Sequence, residues 1–167
     1  GHGVSVSPLS FAAAAASVVN GGRKITPTFL KRPHDDRGEQ VISPATSAAM
    51  RSLLRYVVTN GTGRKADVPG YDVGGKTGSA EKIGPDGHYM RGKLMTSFLA
   101  VFPIEHPRYL VFVMLDEPHG NAKTYGFALA GFTAAPMAGR VVSRIAPLLG
   151  VPVNPATAAN PPSKENT

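Results

Sequence analysis

The chain of 167 residues contains no cysteine, which excludes disulfide bonds, thiolate metal sites and a cysteine nucleophile. No apolar run approaches the ~20 residues that a membrane-spanning helix needs. The first ten residues also lack the basic and apolar regions of a signal peptide. Two interpretations remain open: the protein is cytosolic, or the chain is a piece whose targeting segment lies elsewhere.

Basic residues are in excess, but no basic block is present. The 18 Lys and Arg against 11 Asp and Glu give a net charge of +7, spread over many short polar stretches without interleaved aromatic residues. This pattern favours a solvated basic surface over a nucleic-acid interface, so no nucleic-acid partner is predicted. The apolar fraction of 42% is sufficient for the core of one domain of ordinary size.

Three stretches have the pattern of helices. Ser-Pro pairs at 7–8 and 43–44 each place a capping residue before a proline at the first helical position, and Asn-Gly pairs at 20–21 and 60–61 end both stretches. Apolar residues in the second and third stretches recur at helical spacing and form stripes. The predicted helices cover 8–20, 44–60 and 136–149.

Between the second and third helices the pattern changes to extended segments, which predict strands over 73–83, 94–104 and 109–116 in an antiparallel meander. The glycine-rich first strand is typical of a sheet edge. The third strand is apolar almost throughout and is expected mid-sheet with both faces covered. Helices on this sheet make an α+β domain over 1–149. Residues 150–167 lack periodicity and predict a disordered tail.

The stretch GYDVGGKTGS, residues 70–79, satisfies two unrelated patterns. It matches the phosphate loop G-x-x-x-x-G-K-[ST], and its K-T-G matches the signature of penicillin-interacting serine enzymes. A phosphate loop needs a buried strand before its first glycine and a helix beginning at the lysine. A polar, proline-ended stretch precedes Gly70, and the turn at 84–87 would stop a helix early, so nucleotide binding is a remote alternative.

The K-T-G pattern suits an edge strand beside a peptide-binding cleft. Gly74, Gly75 and Gly78 keep the backbone approachable, so that a peptide can add a strand there. Lys76 supplies positive charge beside a serine nucleophile, and Thr77 can hold a substrate carboxylate. The competing interpretation is a glycine-weakened edge strand with a solvated lysine, which three common residues alone do not exclude.

Longer stretches add a family resemblance. GHGVSVSPLSFAAAAASVVNGG, VVTNGTGRKADVPGYDVGGKTGSAEK, TSFLAVFP with YLVFVMLDEP, and AAPMAGRVVSRI stand in the order of the second half of the class B penicillin-binding proteins. Over 1–149 the chain resembles the septal cell-division transpeptidases of that class, most specifically at 59–82. The resemblance implies the C-terminal part of the penicillin-binding/β-lactamase-like transpeptidase fold, in which the strand 109–116 pairs with a strand from the preceding part of the domain.

The resemblance also implies a function. It indicates a periplasmic serine D,D-transpeptidase, anchored in the inner membrane by a segment outside this chain, which cross-links peptidoglycan stem peptides ending in D-Ala-D-Ala and is acylated by β-lactams. The implied partners are these peptides, β-lactams and division-complex membrane proteins. Self-association, or pairing with the preceding part of the domain, is also expected. No cofactor is implied.

Roles follow at the matching positions. Lys76 would contribute electrostatics and proton shuttling, Thr77 would bind the carboxylate of the substrate or of a β-lactam, and Gly78 would line the same subsite. Ser79, where the family more often has threonine, would give its backbone N–H to the oxyanion hole and its hydroxyl to that carboxylate. Lys76 and Ser79 are thus the predicted catalytic residues.

Two elements that such enzymes need are missing. The nucleophile and its base belong to S-x-x-K on a helix, and a further group belongs to S-x-N. No S-x-N is present, and the sole S-x-x-K, from Ser79 to Lys82, lies on a predicted strand where residues three apart face opposite sides. The chain alone is therefore expected to be inactive. The alternative is a non-catalytic module that binds peptide or a partner.

Other polar residues carry no site pattern. The five histidines lack i, i+4 pairing, so no metal site is predicted. The pairs Asp35-Asp36 and Asp116-Glu117 stand in or beside turns and indicate surface charge rather than a general acid and base. The histidines are His2, His34, His88, His106 and His119.

Overall fold

The computed structural model describes residues 4–31 and 38–159 and contains helices on an antiparallel sheet. The helices are α1 (Pro8–Val19), α2 (Pro44–Asn60), α3 (Ala134–Leu148) and the short α4 (Pro155–Ala158). The strands are β1 (Gly74–Ile83), β2 (Tyr89–Phe102) and β3 (Tyr109–Asp116). Single 3₁₀ turns lie at Arg64–Ala66 and Ala122–Thr124. Along these described parts no helix is long and apolar enough to cross a bilayer.

The two Ser-Pro pairs form the caps that their sequence indicates. Ser7 Oγ accepts the N–H of Ser10 at 3.2 Å, and Ser43 Oγ accepts the N–H of Thr46 at 3.0 Å. Each hydroxyl satisfies a backbone donor that has no partner within the helix. α2 has the predicted bounds, and α1 ends one residue before the predicted 20.

α3 begins two residues before its predicted start at Pro136 and ends at Leu148. A proline in the first turn of a helix removes an N–H that would have no intrahelical partner, so the helix can begin before it. Alanines at 134, 135 and 138 are fully buried there. Their small side chains let α3 approach the sheet closely.

The sheet has the order β1-β2-β3, with both neighbouring pairs antiparallel. Alternate residues of β2 pack into two different cores, one on each face of the strand. Phe98 and Phe102 belong to the larger core with Val142 of α3, while Val101 packs with Val19 and Leu54 of the first two helices. Helices covering an antiparallel sheet confirm the predicted α+β fold class.

β1 lies at one edge of the sheet, as its glycines predicted, and β3 lies at the other edge within the described residues. The mid-sheet position expected for β3 depends on a strand from the preceding part of the domain and stays a prediction. In the described part of the chain β3 pairs only with β2. Both of its faces are nevertheless partly covered: the ring centroids of Phe112 and of Phe11 in α1 lie 4.9 Å apart, and Val113 packs against the larger core. An apolar sequence in a strand therefore indicates that other elements pack on its faces, but it does not indicate how many strands pair with it.

β2 begins at Tyr89, five residues before its predicted start at 94. A tight turn with hydrogen bonds from Gly84 N–H to His88 O and from Gly87 N–H to Gly84 O returns the chain, and Ile83 pairs with Tyr89. Residues 89–93 are mostly exposed and polar, so they lack the apolar alternation that marks a half-buried strand.

The prediction of a disordered tail is wrong for residues 150–159, and residues 160–167 lie outside the described part. Val151 is only 5% exposed and donates its N–H to Ala146 O at 3.0 Å. Asn154 donates its N–H to Gly70 O at 2.8 Å, and α4 follows directly. A few specific contacts order this segment, and such contacts leave no periodic signal in the sequence.

The close approach of β1 to β2 at Gly75 provides a test of the fold. A Cβ added there would overlap Leu99 O and lie 2.6 Å from the Phe98 ring, and neither the strand backbone nor this buried ring can move away easily. Gly75→Ala should therefore destabilise the chain by about 1–3 kcal/mol, as overpacking does. The measurement is the midpoint of urea unfolding.

Gly78→Ala is the matched control on the same strand. Its added Cβ would lie 2.6 Å from Ser97 Oγ, which can rotate away. We expect a smaller loss than at Gly75. Equal losses for the two variants would contradict the close packing of β1 on β2 at Gly75.

Candidate functional site

The K-T-G residues lie in the middle of β1, at the open edge of the sheet. Lys76 stands opposite Leu99 of β2, Thr77 opposite Phe98 and Gly78 opposite Ser97. β1 is extended over all ten of its residues, so no helix begins at Lys76. A phosphate loop requires that helix, and the geometry therefore excludes one here.

The side chain of Lys76 wraps around this edge. Neighbouring residues of a strand point to opposite faces, yet Lys76 Nζ donates to Thr77 O at 2.8 Å and lies 3.4 Å from Thr77 Oγ1. Another strand on this side of β1 would occupy the space that the side chain crosses. The edge position thus brings a cation and a hydroxyl together from opposite faces.

Thr77 has a second partner that the sequence analysis missed. Its Oγ1 lies 2.8 Å from Thr62 Oγ1, with either hydroxyl able to donate. Thr62 follows the end of α2, where Gly61 and Gly63 both donate their N–H groups to Val57 O at 3.0 and 3.1 Å. The Gly-Thr-Gly sequence after the helix is the only signal for this loop, and nothing in it indicates the contact with β1.

Ser79 lies two residues further along β1, on the same face as Thr77. Its Oγ accepts the backbone N–H of Ala130 at 3.0 Å. Ala130 is buried in the segment that leads into α3. Because Ser79 Oγ acts here as an acceptor, its own O–H hydrogen remains available to a ligand.

Thr77 and Ser79 share a cavity of about 290 Å³. Two cations stand on its wall, Arg64 and Lys65 of the turn after α2, and Lys65 Nζ lies 4.7 Å above the ring of Phe132. None of the described residues that line it is acidic. The cavity therefore favours an anionic group. Its lining residues are Gly61, Thr62, Arg64, Lys65, Thr77, Ser79, Leu129, Ala130, Gly131 and Phe132.

The four predicted site residues thus separate into two groups. Thr77 and Ser79 line the cavity directly. Lys76 and Gly78 do not line it, although Lys76 Nζ reaches the Thr77 hydroxyl over the edge.

The serine and the lysine of the sole S-x-x-K lie in different surroundings: Ser79 lines the cavity, whereas Lys82 binds carboxylates elsewhere. Lys82 Nζ binds Asp116 Oδ1 at 2.8 Å and Glu117 Oε1 at 2.9 Å, at the far end of β1 from Gly74. Lys93 adds a contact to Glu117 Oε2 at 2.6 Å. Hydrogen bonds donated by Lys93 and Lys82 lower the pKa of Glu117 to about 2, and the hydrogen bonds that Lys82 donates to Asp116 and Glu117 raise the pKa of Lys82. A lysine held protonated in this way is a poor base for Ser79.

Asp116 and Glu117 belong to this ion-pair cluster, in line with their interpretation as surface charge. Over residues 4–31 and 38–159, no three His, Asp or Glu side chains lie close enough together to hold a metal ion. His2, His34 and the pair Asp35-Asp36 lie outside the described residues.

Comparison with known proteins assigns the family. Residues 1–138 match the penicillin binding protein transpeptidase domain. The probable peptidoglycan D,D-transpeptidase FtsI of Caulobacter vibrioides is 47% identical over 161 residues, which cover 90% of this chain and 27% of that protein. Stage V sporulation protein D of Bacillus subtilis is 39% identical over 163 residues, covering 90% of this chain and 24% of that protein.

Solved structures agree. The apo transpeptidase domain of Burkholderia pseudomallei penicillin-binding protein 3 superposes with a TM-score of 0.78 at 34% identity, covering 92% of this chain and 46% of that one. Mycobacterium tuberculosis penicillin-binding protein 3 in complex with aztreonam gives 0.72 at 27% identity, with coverage of 94% and 38%.

The chain spans about a quarter of the length of these curated relatives and under half of the solved chains. Its three-stranded sheet with covering helices is the part of the penicillin-binding fold that these structures share with it. On the match over residues 1–138 and the identity to a septal transpeptidase over 90% of its length, the chain belongs to the penicillin-binding protein transpeptidase family and forms the C-terminal part of that domain.

Proposed function

We propose that this chain is the K-T-G-bearing part of a serine D,D-transpeptidase that cross-links peptidoglycan stem peptides during cell division. The observation that carries the proposal is the arrangement of Thr77 and Ser79 in one cavity, with Lys76 Nζ reaching the Thr77 hydroxyl over the open edge of β1. The relatives named as peptidoglycan D,D-transpeptidases support the same activity.

In this proposal the edge of β1 receives the substrate as an added strand. A residue of an antiparallel strand sends its N–H and C=O to the same side, and residues two apart share that side. Thr77 O accepts Lys76 Nζ on the open side, which supports placing the N–H of Ser79 on that side as well. There it would donate to the oxyanion that forms during acyl transfer.

The hydroxyls of Thr77 and Ser79 would hold the carboxylate of the terminal D-alanine, or that of a β-lactam. Charge-assisted hydrogen bonds from hydroxyls to a carboxylate are stronger than neutral ones. The cations Arg64 and Lys65 on the cavity wall support an anionic ligand.

The reaction has two acyl transfers. A serine hydroxyl attacks the carbonyl carbon between the two D-alanines, and the terminal D-alanine leaves with a proton. The amine of a neighbouring stem peptide then attacks the resulting ester, which forms the new amide and frees the serine. Lys76 would stabilise negative charge near that serine and help to move its proton.

The nucleophile is proposed to come from a preceding part of a longer protein, which would leave this chain inactive alone. The site of action is proposed to be the periplasmic face of the inner membrane, among membrane proteins of the division complex. The solved Mycobacterium tuberculosis complexes with aztreonam and ampicillin support β-lactams as ligands. No cofactor enters this reaction.

The first prediction concerns labelling by a fluorescent penicillin. The full-length protein should form a hydrolysis-resistant covalent adduct, because penicillins acylate the transpeptidase serine. The chain of 167 residues should not, because its S-x-x-K lysine is bound by Asp116 and Glu117. Gel fluorescence and intact-mass spectrometry measure both. Stoichiometric labelling of the short chain would overturn its inactivity, and an unlabelled full-length protein would favour the binding-module alternative.

The second prediction concerns Lys76→Ala in the full-length protein. Loss of one positioned electrostatic group should slow acylation by about 10²–10³-fold, with little change in thermal stability because Lys76 is exposed. Stopped-flow acylation and a melting curve measure the two effects. Lys24→Ala removes another exposed lysine outside β1 and should leave the rate unchanged. A Lys76→Ala rate within a few-fold of the unaltered protein would make Lys76 a bystander.

The third prediction concerns the open edge of β3. We propose that a further strand pairs with it, either from the preceding part of the longer protein or from a second copy of this chain, because an unpaired apolar strand is a template for pairing. The isolated chain should therefore show a mass that rises with concentration in light scattering.

Met114→Lys places a charge on the exposed part of β3 and should reduce this association. Leu53→Lys is the control, because it removes a comparably exposed apolar side chain from α2. A monomer at all concentrations, or equal effects of the two variants, would argue against pairing through β3.

A further inference from the structure

The segment at 151–158, which we call the C-terminal clasp, follows the residues 1–138 that match the family model and docks on the approach to the K-T-G strand. Its first residue, Val151, inserts into the larger core. Asn154 then donates its backbone N–H to Gly70 O at 2.8 Å. Val153 packs so closely on Gly70 that a Cβ there would lie 2.7 Å from Val153 Cγ1.

The side chain of Asn154 fixes a second point on the same turn. Its Nδ2 donates to Asp72 Oδ2 at 2.7 Å, and its Oδ1 accepts the N–H of Ala156 at 3.1 Å. The bond to Ala156 sets the orientation of the amide, because only the oxygen can accept a backbone N–H. The amide N–H is thereby aimed at the carboxylate.

Asp72 is a residue under constraint. It is 9% exposed. Its φ is +46°, in the left-handed region that residues other than glycine rarely adopt. Its Oδ1 is buried without a hydrogen-bond partner within the described parts of the chain. A residue in an unfavourable backbone conformation persists only where surrounding contacts hold it in place. Such residues are concentrated near functional sites.

Two other elements hold the same turn. Asp72 O accepts the N–H of Ile104, after β2, at 2.9 Å. Val73 O accepts Arg55 Nη1 of α2 at 2.7 Å, and that guanidinium also binds Asp67 at 2.7 Å. Residues 70, 72 and 73 are thus tied to three parts of the chain that are remote in sequence. β1 begins at the next residue, and Lys76 follows Asp72 by four positions, roughly 13 Å along an extended strand.

We propose that Asn154 is a positioning residue for the transpeptidase reaction, acting through Asp72 to set the direction in which β1 presents Lys76, Thr77 and Ser79. This inference rests on the proposed function. Asn154 touches no reacting group itself. Loosening its end of the turn would let the strand shift relative to the nucleophile, and displacements of about 1 Å can cost up to 10²-fold in rate.

The test compares Asn154→Ala with Asn20→Ala in the full-length protein. Asn20 closes a turn after α1 with bonds of 2.8 and 2.9 Å to Arg23, so its loss is a similar structural change away from β1. We expect Asn154→Ala to lower the acylation rate constant at saturating penicillin about tenfold, with the dissociation constant of the initial complex unchanged. Asn20→Ala should change neither.

A second variant gives a pH signature that a merely structural role would not produce. Asn154→Asp places a carboxyl against Asp72, and the two repel when both are ionised but share a proton when one is neutral. Its acylation rate relative to Asn154→Ala should therefore rise as the pH falls from 8 to about 5. Arg51 and Arg55 of α2 and Glu105 after β2 line the same cavity as Asp72, and these three residues are common to both variants.

Hydrogen exchange in the isolated chain supplies a readout besides activity. Amides 76 and 78, which face β2 when Thr77 and Ser79 face the open side, should exchange faster in Asn154→Ala than in the unaltered chain or in Asn20→Ala. Unchanged rate constants and exchange in Asn154→Ala would overturn the proposal, as would a pH-independent ratio between the two Asn154 variants. If the unaltered full-length protein is not acylated at all, the proposed function fails, while the exchange result still decides whether the clasp orders β1.

Discussion

The open edge of β1 is the constraint on which the candidate site depends. A second neighbouring strand would take the path along which Lys76 reaches Thr77, and it would cover the backbone that a peptide needs. The edge is exposed without being loose, because Gly75 packs directly against the backbone and the Phe98 ring of β2. Because β1 packs closely against β2, its outer edge can be accessible to a ligand while the strand keeps a fixed position.

The two ends of β1 are fastened by different chemistry. At its start, hydrogen bonds from Asn154, Ile104 and Arg55 hold the preceding turn. At its far end, Lys82 reaches past β2 to the carboxylates of Asp116, the last residue of β3, and of Glu117, which follows it. Salt weakens ion pairs at an exposed end, whereas it screens the hydrogen bonds at a buried turn much less. The site residues lie between these two anchors.

Sequence patterns predicted the elements with local causes and missed those with distant ones. The Ser-Pro caps located both early helices because a cap depends on residues within one turn. The K-T-G strand was placed correctly because its glycines and neighbouring turns are local signals. Thr62 and Asn154 were missed because their partners lie 15 and 82 residues away. The ordered segment after Gly150 was missed for the same reason, because the composition of the segment does not show that one valine, Val151, is buried in the core.

The paired hydroxyls of Thr62 and Thr77 have a consequence for the kinds of ligand that the cavity can hold. Two hydroxyls carry two hydrogens, and one of these is used in the bond between them. The pair therefore offers one free hydrogen, and rotation of both O–H groups decides which threonine presents it. When an anion takes the hydrogen of Thr77, Thr62 can donate to Thr77 in turn, and bonds in such a chain strengthen one another. The loop after α2 thus supplies a second hydroxyl to the strand that carries Thr77.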